Sequence, residues 1–258
     1  EWDSPWGVGF PGWHIECSAM SMHILGETFD IHTGGIDHIP VHHNNEIAQS
    51  ESVTGKPLAN IWMHGAFLNW KDRKMSKSDG SFVTLSDLEK EGISPLGFRY
   101  FLLQSKYRQP VFFDMEALKA SEVAYRRMQE HLLAMRERLV LGDNTDNKNQ
   151  LEKLTEKFAE YIADDLNTPK VVAQIWSQLS EAELFSSLSV ADFDSYIDHI
   201  NAILGLNFEK SIMIPAEVQE LLNKRQTAKD AKDWALADNL RDQVESLGYT
   251  ILDTKEGV

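Results

Sequence analysis

A thiol, an imidazole and a carboxylate, Cys17, His42 and Glu46, lie in the first fifty residues of the chain. His42 and Glu46 are four residues apart, so on a helix they project from one face. Cys17 must reach them from the far side of a glycine turn, Gly34-Gly35. Sulfur, nitrogen and oxygen donors together suit zinc. A buried core thiol and a solvated helix face meet the same spacing. His14, His32, His38 and His43 lie nearby and keep the choice of ligand open. A second feature is Lys74-Met75-Ser76-Lys77-Ser78, where two ammonium groups flank small hydroxyl residues. Such a loop can swing over a triphosphate and neutralise charge on a departing pyrophosphate; it is also ordinary solvated surface. Gly34-Gly35-Ile36-Asp37 can bring backbone close to a nucleotide, with Asp37 accepting hydrogen bonds from ribose hydroxyls, or it can be a purely structural turn.

The elements that must position these groups read as strand and helix in alternation. Residues 1–13, with three Trp, three Gly and two Pro, read as loop. His14 to His23 suits a short helix, and Phe29 to His32 a strand ended by Thr33-Gly34-Gly35. A helix is expected from Val41 to about Val53, then a buried strand and turn over Asn60–Leu68. This alternation predicts part of a parallel α/β sheet, with ligands at the carboxyl ends of its strands. Ser78 to Ser81 reads as a mobile turn, and Ser86 with Glu89 as the start of a helix.

Beyond residue 100 the pattern is helical. Tyr125, Met128, Leu132, Met135 and Leu139 step by three and four and form one apolar stripe. Leu151 to Ile162 make another, Thr168-Pro169 reads as an N-cap and N1 proline, and Phe193 to Leu204 form a helix stopped by Gly205. Residues 100–205 are therefore predicted to be a helical bundle. Asn207 to Pro215 reads as a linker. Two short helices follow, the second capped near Asp233 and stopped by Gly248, and Tyr249–Leu252 reads as a terminal strand.

The 258 residues, 42% hydrophobic and 25% charged, have an ordinary globular composition, and no apolar run is long enough to span a membrane. One cysteine excludes an internal disulfide framework and fits a reducing, cytoplasmic setting. A net charge of −15 argues against nucleic acid, but a local basic groove can outweigh the sum. The first residues show no signal peptide, and the abrupt start within a Trp/Gly/Pro-rich stretch reads as that of a fragment.

Gly12-Trp13-His14-Ile15-Glu16-Cys17-Ser18-Ala19-Met20, the Gly-Gly-x-Asp turn, His42-His43-Asn44-Asn45-Glu46 and Lys74-Met75-Ser76-Lys77-Ser78 follow one another at close spacing. Together they resemble the cysteinyl-tRNA synthetases, a family of class I aminoacyl-tRNA synthetases, over nearly the whole chain. The resemblance implies α/β followed by all-α: the second half of a Rossmann-like catalytic domain over 1–80, a connecting segment and helical bundle over 81–206, and an anticodon-recognition module over 216–258. It implies one zinc ion on Cys17, His42 and Glu46, with a further cysteine ligand and a His-Ile-Gly-His signature in an N-terminal half. It also implies that Gly35, Asp37 and Lys77 contact ATP, that Lys74 and Lys77 assist the reaction, and that Trp13 and His32 line the cysteine pocket. Phe10 stands where many members carry arginine. The activity implied is ATP- and magnesium-dependent activation of L-cysteine and its transfer to tRNA(Cys), by a monomer without membrane attachment. Zinc answers a physical need, because a pocket relying on size separates cysteine from serine poorly.

In the helical part, Arg126, Arg127, Arg136 and Arg138 could supply phosphate contacts or be plain surface charge. In the last module Arg225, Lys229, Lys232 and Arg241 surround Trp234, a mixture suited to unstacked bases. The resemblance implies that Lys229, Trp234, Asp238 and Asp253 read the anticodon; Trp234 is equally suited to a core. Two rival readings stand: a mycothiol-pathway cysteine ligase, which lacks such a module, and a non-catalytic tRNA-binding protein.

Overall fold

Trp2–Ser4 (β1) and Gly7–Gly9 (β2) pair antiparallel in the computed structural model, which describes residues 1–70, 73–74, 83–142, 146–211, 215–249 and 251. The expected loop thus contains a hairpin. Its turn is held by Ser4 Oγ donating to the Gly7 carbonyl at 2.6 Å, with Gly7 at φ +111°, and strands of three residues are too short to show alternation. Helix α1 (Trp13–Leu25) leads into β3 (Phe29–Gly35). β3 runs through both glycines instead of ending before them. A 3₁₀ turn (Ile36–His38) and a π turn (Ile39–His43) then precede α2 (Asn44–Thr54), which stops at Gly55, φ +68°. The helix expected from Val41 thus starts at Asn44. β4 (Ala59–Gly65) returns parallel to β3, from Phe29 opposite Ala59 to Gly35 opposite Gly65. α1 and α2 lie side by side, and Ser18 Oγ donates to Gln49 Oε1 at 2.9 Å.

β5 (Leu68–Trp70) continues into β6 (Arg73–Lys74), antiparallel to it. α3 (Leu85–Lys90) is capped by Thr84, whose side chain and backbone exchange hydrogen bonds with Asp87; the predicted cap at Ser86 lies two residues too far. α4 (Pro95–Leu103) starts on Ser94, and β7 (Val111–Phe113) pairs parallel with β5. Leu88, Ile93, Phe113 and Leu118 form the core here. The mobile turn read at Ser78–Ser81 lies outside the described residues.

The bundle is built from α5 (Met115–Val140), α6 (Lys148–Ala163), α7 (Thr168–Ser180) and α8 (Val190–Leu204). Its core takes Met128, Leu132, Phe158, Ile175, Phe193 and Tyr196, so the stripes read from periodicity are the buried faces. α7 begins one residue earlier than predicted, with Asn167 in the cap position and Pro169 in the first turn. Gly205 ends α8 at φ +62°, a left-handed conformation that glycine adopts without a Cβ penalty.

The chain divides into two compact units, Glu1–Phe208 and Glu209–Val258. The second holds α9 (Ala216–Asp230) and α10 (Trp234–Ser246), packed through Val218, Val244 and Ile251. Asp233 caps α10 by accepting from the Leu236 N–H. Of the strand predicted at Tyr249–Leu252, only Tyr249 and Ile251 are described, and neither is in a strand. Among the described residues no helix is long and apolar enough to cross a membrane.

Tyr196 is wholly buried; its hydroxyl donates to Gln178 Oε1 at 2.7 Å, and Gln178 Nε2 in turn donates to the Leu154 carbonyl. Burial holds the Tyr196 phenol well above its ordinary value. A value above the unfolded one, near 10, means the stabilisation is complete below about pH 10 and is lost as pH rises further. Thermal melts followed by circular dichroism should fall steeply above about pH 10. Tyr196→Phe should flatten that fall and cost about 1–3 kcal/mol at neutral pH, because Gln178 Oε1 loses its donor.

Candidate metal and nucleotide site

The π turn decides where two adjacent histidines go. Its wide winding, with Pro40 in the first turn and thus no backbone N–H needed there, carries both His42 and His43 inward, 5% and 3% exposed. Such single turns recur at functional sites. Because α2 starts only at Asn44, His42 and Glu46 do not share one regular α-helix, yet they still face one another. Cys17 comes from the first turns of α1, which starts beside Gly12 with the Ile15 N–H bonded to the Gly12 carbonyl.

Ligating atoms of Cys17, His42 and Glu46 all lie within 4.8 Å of one another. His42 Nε2 is 3.5 Å from Glu46 Oε1. Glu46 is fully buried, and its Oε1 has no hydrogen-bond partner. Its other oxygen, Oε2, is held by His32 Nε2 at 2.8 Å, with His43 Nε2 farther off at 3.8 Å. His32, His43 and Glu46 form a second close group on the same scale. Outer contacts fix the rings. His14 Nδ1 pairs with His42 Nδ1 at 2.7 Å, and His43 Nδ1 pairs with His64 Nε2 at 2.8 Å.

Burial raises the Cys17 thiol above its ordinary value, with the Glu46 and then the Glu16 carboxylate adding to it. Burial lowers His42, although Glu46 pulls the other way. His43 is pushed down to about 4, first by burial and then by His32 and His64. At neutral pH the cluster therefore presents a protonated thiol and two neutral imidazoles. A carboxylate oxygen buried without a partner is costly, and a cation is the partner that relieves it. A thiol and an imidazole gathered around such a carboxylate fit zinc.

Trp13 sits beside this cluster, not in the core. It is 54% exposed, and its ring centroid lies 4.2 Å from that of His42. His32 is half-buried against Trp62. Gly34 packs under two imidazoles: a Cβ there would fall 2.6 Å from the His43 ring and 2.7 Å from His38 Nδ1. At Gly35, the last residue of β3, a Cβ would strike Asp37 Oδ1. Gly35 and Asp37 thus form a tight turn at the carboxyl end of a parallel strand, where open α/β sheets bind ligands. Lys77 lies outside the described residues, and Lys74 is described only as part of β6. His64, one residue before Gly65 at the carboxyl end of β4, carries no role in the sequence reading. The signal available was that position, the same end of the sheet as Gly35.

The arginines of the bundle divide. Arg126 Nε pairs with Glu122 at 2.6 Å, and Arg136 forms a two-pronged bond to Asp194. Arg127 and Arg138 are exposed. In the second unit, Trp234 opens α10 and is 60% exposed, so the core reading of it does not hold. Asp238, one turn on, is exposed, and Lys229 is half-buried near the end of α9. Arg225, one of the four basic positions grouped with Trp234 in the sequence, is buried at 3% exposure. Asp253 lies outside the described residues.

The fold is shared with tRNA synthetases of solved structure. It superposes on LeuRS of Agrobacterium radiobacter, solved with tRNA and LeuAMS, with TM-score 0.54 and 18% identity over 69% of this chain and 26% of that one. It also superposes on a protein described as a putative arginyl tRNA synthetase from Campylobacter jejuni, with TM-score 0.50 and 16% identity over 81% of this chain and 54% of that one. Residues 1–123 match the class I (C) tRNA synthetase catalytic domain family, and residues 213–258 match the cysteinyl-tRNA ligase anticodon binding domain. The chain belongs to the cysteine–tRNA ligase family. It is 41% identical to cysteine–tRNA ligase 1 of Burkholderia lata over 100% of this chain and 53% of that protein. Identity to the cysteine–tRNA ligase of Caldicellulosiruptor saccharolyticus is 40% over 99% and 57%, and to that of Chlamydia felis 41% over 99% and 56%. The chain thus spans about half the length of the curated relatives it matches.

Gly34→Ala should drive the His43 and His38 rings apart and cost about 1–3 kcal/mol, as overpacking does. Urea unfolding measures the loss, and imidazole nitrogen shifts in NMR should report the broken His43–His64 bond.

Proposed function

We propose that the protein carrying this sequence is a cysteine–tRNA ligase. In the first step the cysteine carboxylate attacks the α-phosphorus of ATP, forming cysteinyl-adenylate as the bond to pyrophosphate breaks. In the second, a terminal ribose hydroxyl of tRNA(Cys) attacks the carbonyl carbon and AMP leaves. Beyond family membership, one observation supports the reading most: a thiol, an imidazole and a buried carboxylate bring their ligating atoms within 4.8 Å of one another, and one oxygen of that carboxylate has no hydrogen-bond partner. Cys17, His42 and Glu46 would hold one zinc ion, which when bound supplies a soft centre with high affinity for thiolate sulfur and little for a serine hydroxyl.

The chain's own residues do the rest. His32 holds the second oxygen of Glu46, and His14 fixes the His42 ring. Trp13 and His32 flank the space for the cysteine side chain. Gly35 lets the backbone approach adenosine, and Asp37 accepts from its ribose. Lys74 and Lys77 neutralise charge on the leaving pyrophosphate, with magnesium accompanying ATP. Positioning and charge neutralisation are the catalytic work, and no protein nucleophile is required. Residues 1–80 form the catalytic part and 81–206 the connecting segment and tRNA-facing bundle. In residues 216–258, Trp234 stacks on a base of the anticodon, and Lys229, Asp238 and Asp253 contribute further contacts to the anticodon. The match of residues 213–258 to an anticodon-binding family favours tRNA as acceptor over the amino sugar of a mycothiol-pathway ligase.

Metal analysis tests the donor set. One zinc per chain is expected, lost in Cys17→Ala and strongly reduced in Glu46→Gln; full stoichiometry in Cys17→Ala removes Cys17 as a ligand. The thiol held above its ordinary value must shed its proton on binding, while His42 is already neutral. Zinc affinity measured against a competing chelator should therefore rise about tenfold per pH unit between about pH 6 and 8.

Activity is tested in the protein that contains this sequence. Cysteine-dependent exchange of pyrophosphate into ATP is expected, with serine inert. Lys77→Ala should lower kcat on the order of a hundredfold or more. Binding of tRNA(Cys) without cysteine-dependent exchange would identify a non-catalytic tRNA-binding protein instead.

A further inference from the structure

Glu46 has a second set of donors on its other side. His42 lies against Oε1, at 3.5 Å, while His32 Nε2 and His43 Nε2 lie against Oε2, at 2.8 and 3.8 Å. One ligand atom each from His32, His43 and Glu46 fall within 4.8 Å of one another, the same limit that Cys17, His42 and Glu46 meet. Donors on a tetrahedral zinc ion, about 2.0–2.1 Å from the metal, stand about 3.4 Å apart. The two spacings at Oε2 bracket that value. Two imidazoles and a carboxylate are also the donor set of open zinc sites, which keep a fourth position free.

The surroundings prepare His43 to donate. It is 3% exposed, and its far nitrogen, Nδ1, pairs with His64 Nε2 at 2.8 Å. A ligating imidazole ordinarily has such an outer partner. At 3.8 Å, Nε2 is too far from Oε2 for a hydrogen bond, a gap that an ion between them would close. Gly34 keeps that nitrogen clear: a Cβ there would lie 2.8 Å from His43 Nε2. Trp62 backs both rings, its centroid 4.7 Å from that of His32 and 4.9 Å from that of His43.

We propose that His32, His43 and Glu46 form a second divalent-cation site, joined to the Cys17–His42–Glu46 group through the two oxygens of Glu46. It takes zinc, or cobalt(II) in its place. To bind, His32 carries its ring proton on Nδ1, and the ion replaces the hydrogen bond between Nε2 and Oε2. The second site is the weaker one. It has no thiolate, the softest donor of the cluster. Its ion also meets the charge of a first ion on the same carboxylate. One consequence rests on the ligase reading: the second ion takes His32 out of the cysteine pocket, so zinc beyond one equivalent competes with cysteine.

The experiment takes the protein that contains this sequence as purified, counts its zinc by elemental analysis and titrates it with cobalt(II). One zinc is expected to stay, and one equivalent of cobalt to bind with visible d–d absorption and no thiolate-to-cobalt charge-transfer band. His32→Gln keeps a hydrogen-bond donor for Oε2 but loses a good ligand. It and His43→Gln should weaken the cobalt step by about a hundredfold or more, and His64→Ala by about 10- to 100-fold, as loss of an outer partner does. Zinc content should be unchanged in all three. No cobalt bound beyond the zinc, a step equal in parent and both glutamine variants, or a step that carries the thiolate band alone overturns the proposal. Protein purified without zinc counts against the Cys17 group and the ligase reading; a cobalt step without the thiolate band, lost in both glutamine variants, still upholds this site. In pyrophosphate exchange the second ion should raise the KM for cysteine. A KM indifferent to it overturns the competition with cysteine and leaves the site standing.

Discussion

Glu46 is the residue on which the first unit turns. Its carboxylate is fully buried, and one oxygen is satisfied by His32 while the other has no hydrogen bond. Burying a carboxyl group with one oxygen lacking a hydrogen bond is costly, so the surroundings must be organised around it. That organisation is visible in the π turn that turns two histidines inward and in Gly34, which lets two imidazoles lie against β3. It is visible too in the placing of Cys17 opposite His42. His14 and His64 form the outer layer, each bonded to the far nitrogen of an inner histidine, the arrangement that holds ligand rings in one tautomer.

The rest of the first unit is conventional in comparison. The bundle buries a continuous apolar core and satisfies its inner polar groups locally, as in the Tyr196–Gln178–Leu154 chain. Its basic residues are partly committed to ion pairs: Arg136 to Asp194 and Arg126 to the buried Glu122, which also accepts from Ser94 at the start of α4. A net charge of −15 thus coexists with a tRNA-ligase family membership, because contact with phosphate depends on which cations are exposed and not on the sum.

Within the second unit, the two helices enclose Val218 and Val244 and leave Trp234 and Asp238 outward on α10. A large exposed aromatic beside an acidic side chain suits an unstacked base better than it suits a core. Arg225 shows the converse: a basic side chain on a short helix is not surface by virtue of its charge, since a long aliphatic stem can be drawn into the core.

The sequence by itself determined the α/β-then-helical order, the buried stripes of the bundle and the stop at Gly205, and it brought Cys17, His42 and Glu46 forward as one candidate donor set among several nearby histidines. These depend on local periodicity, on the steric freedom of glycine and on residue chemistry, all of which are written along the chain. Tertiary structure decided which histidines serve which. That His32 supports Glu46, that His64 supports His43, and that His42 lies in a π turn and not in the helix depend on contacts across 14 to 28 residues of chain, to which no short-range pattern responds. It also decided that Trp234 is outward and Arg225 inward, because burial is settled by what packs against a face and not by the side chain alone.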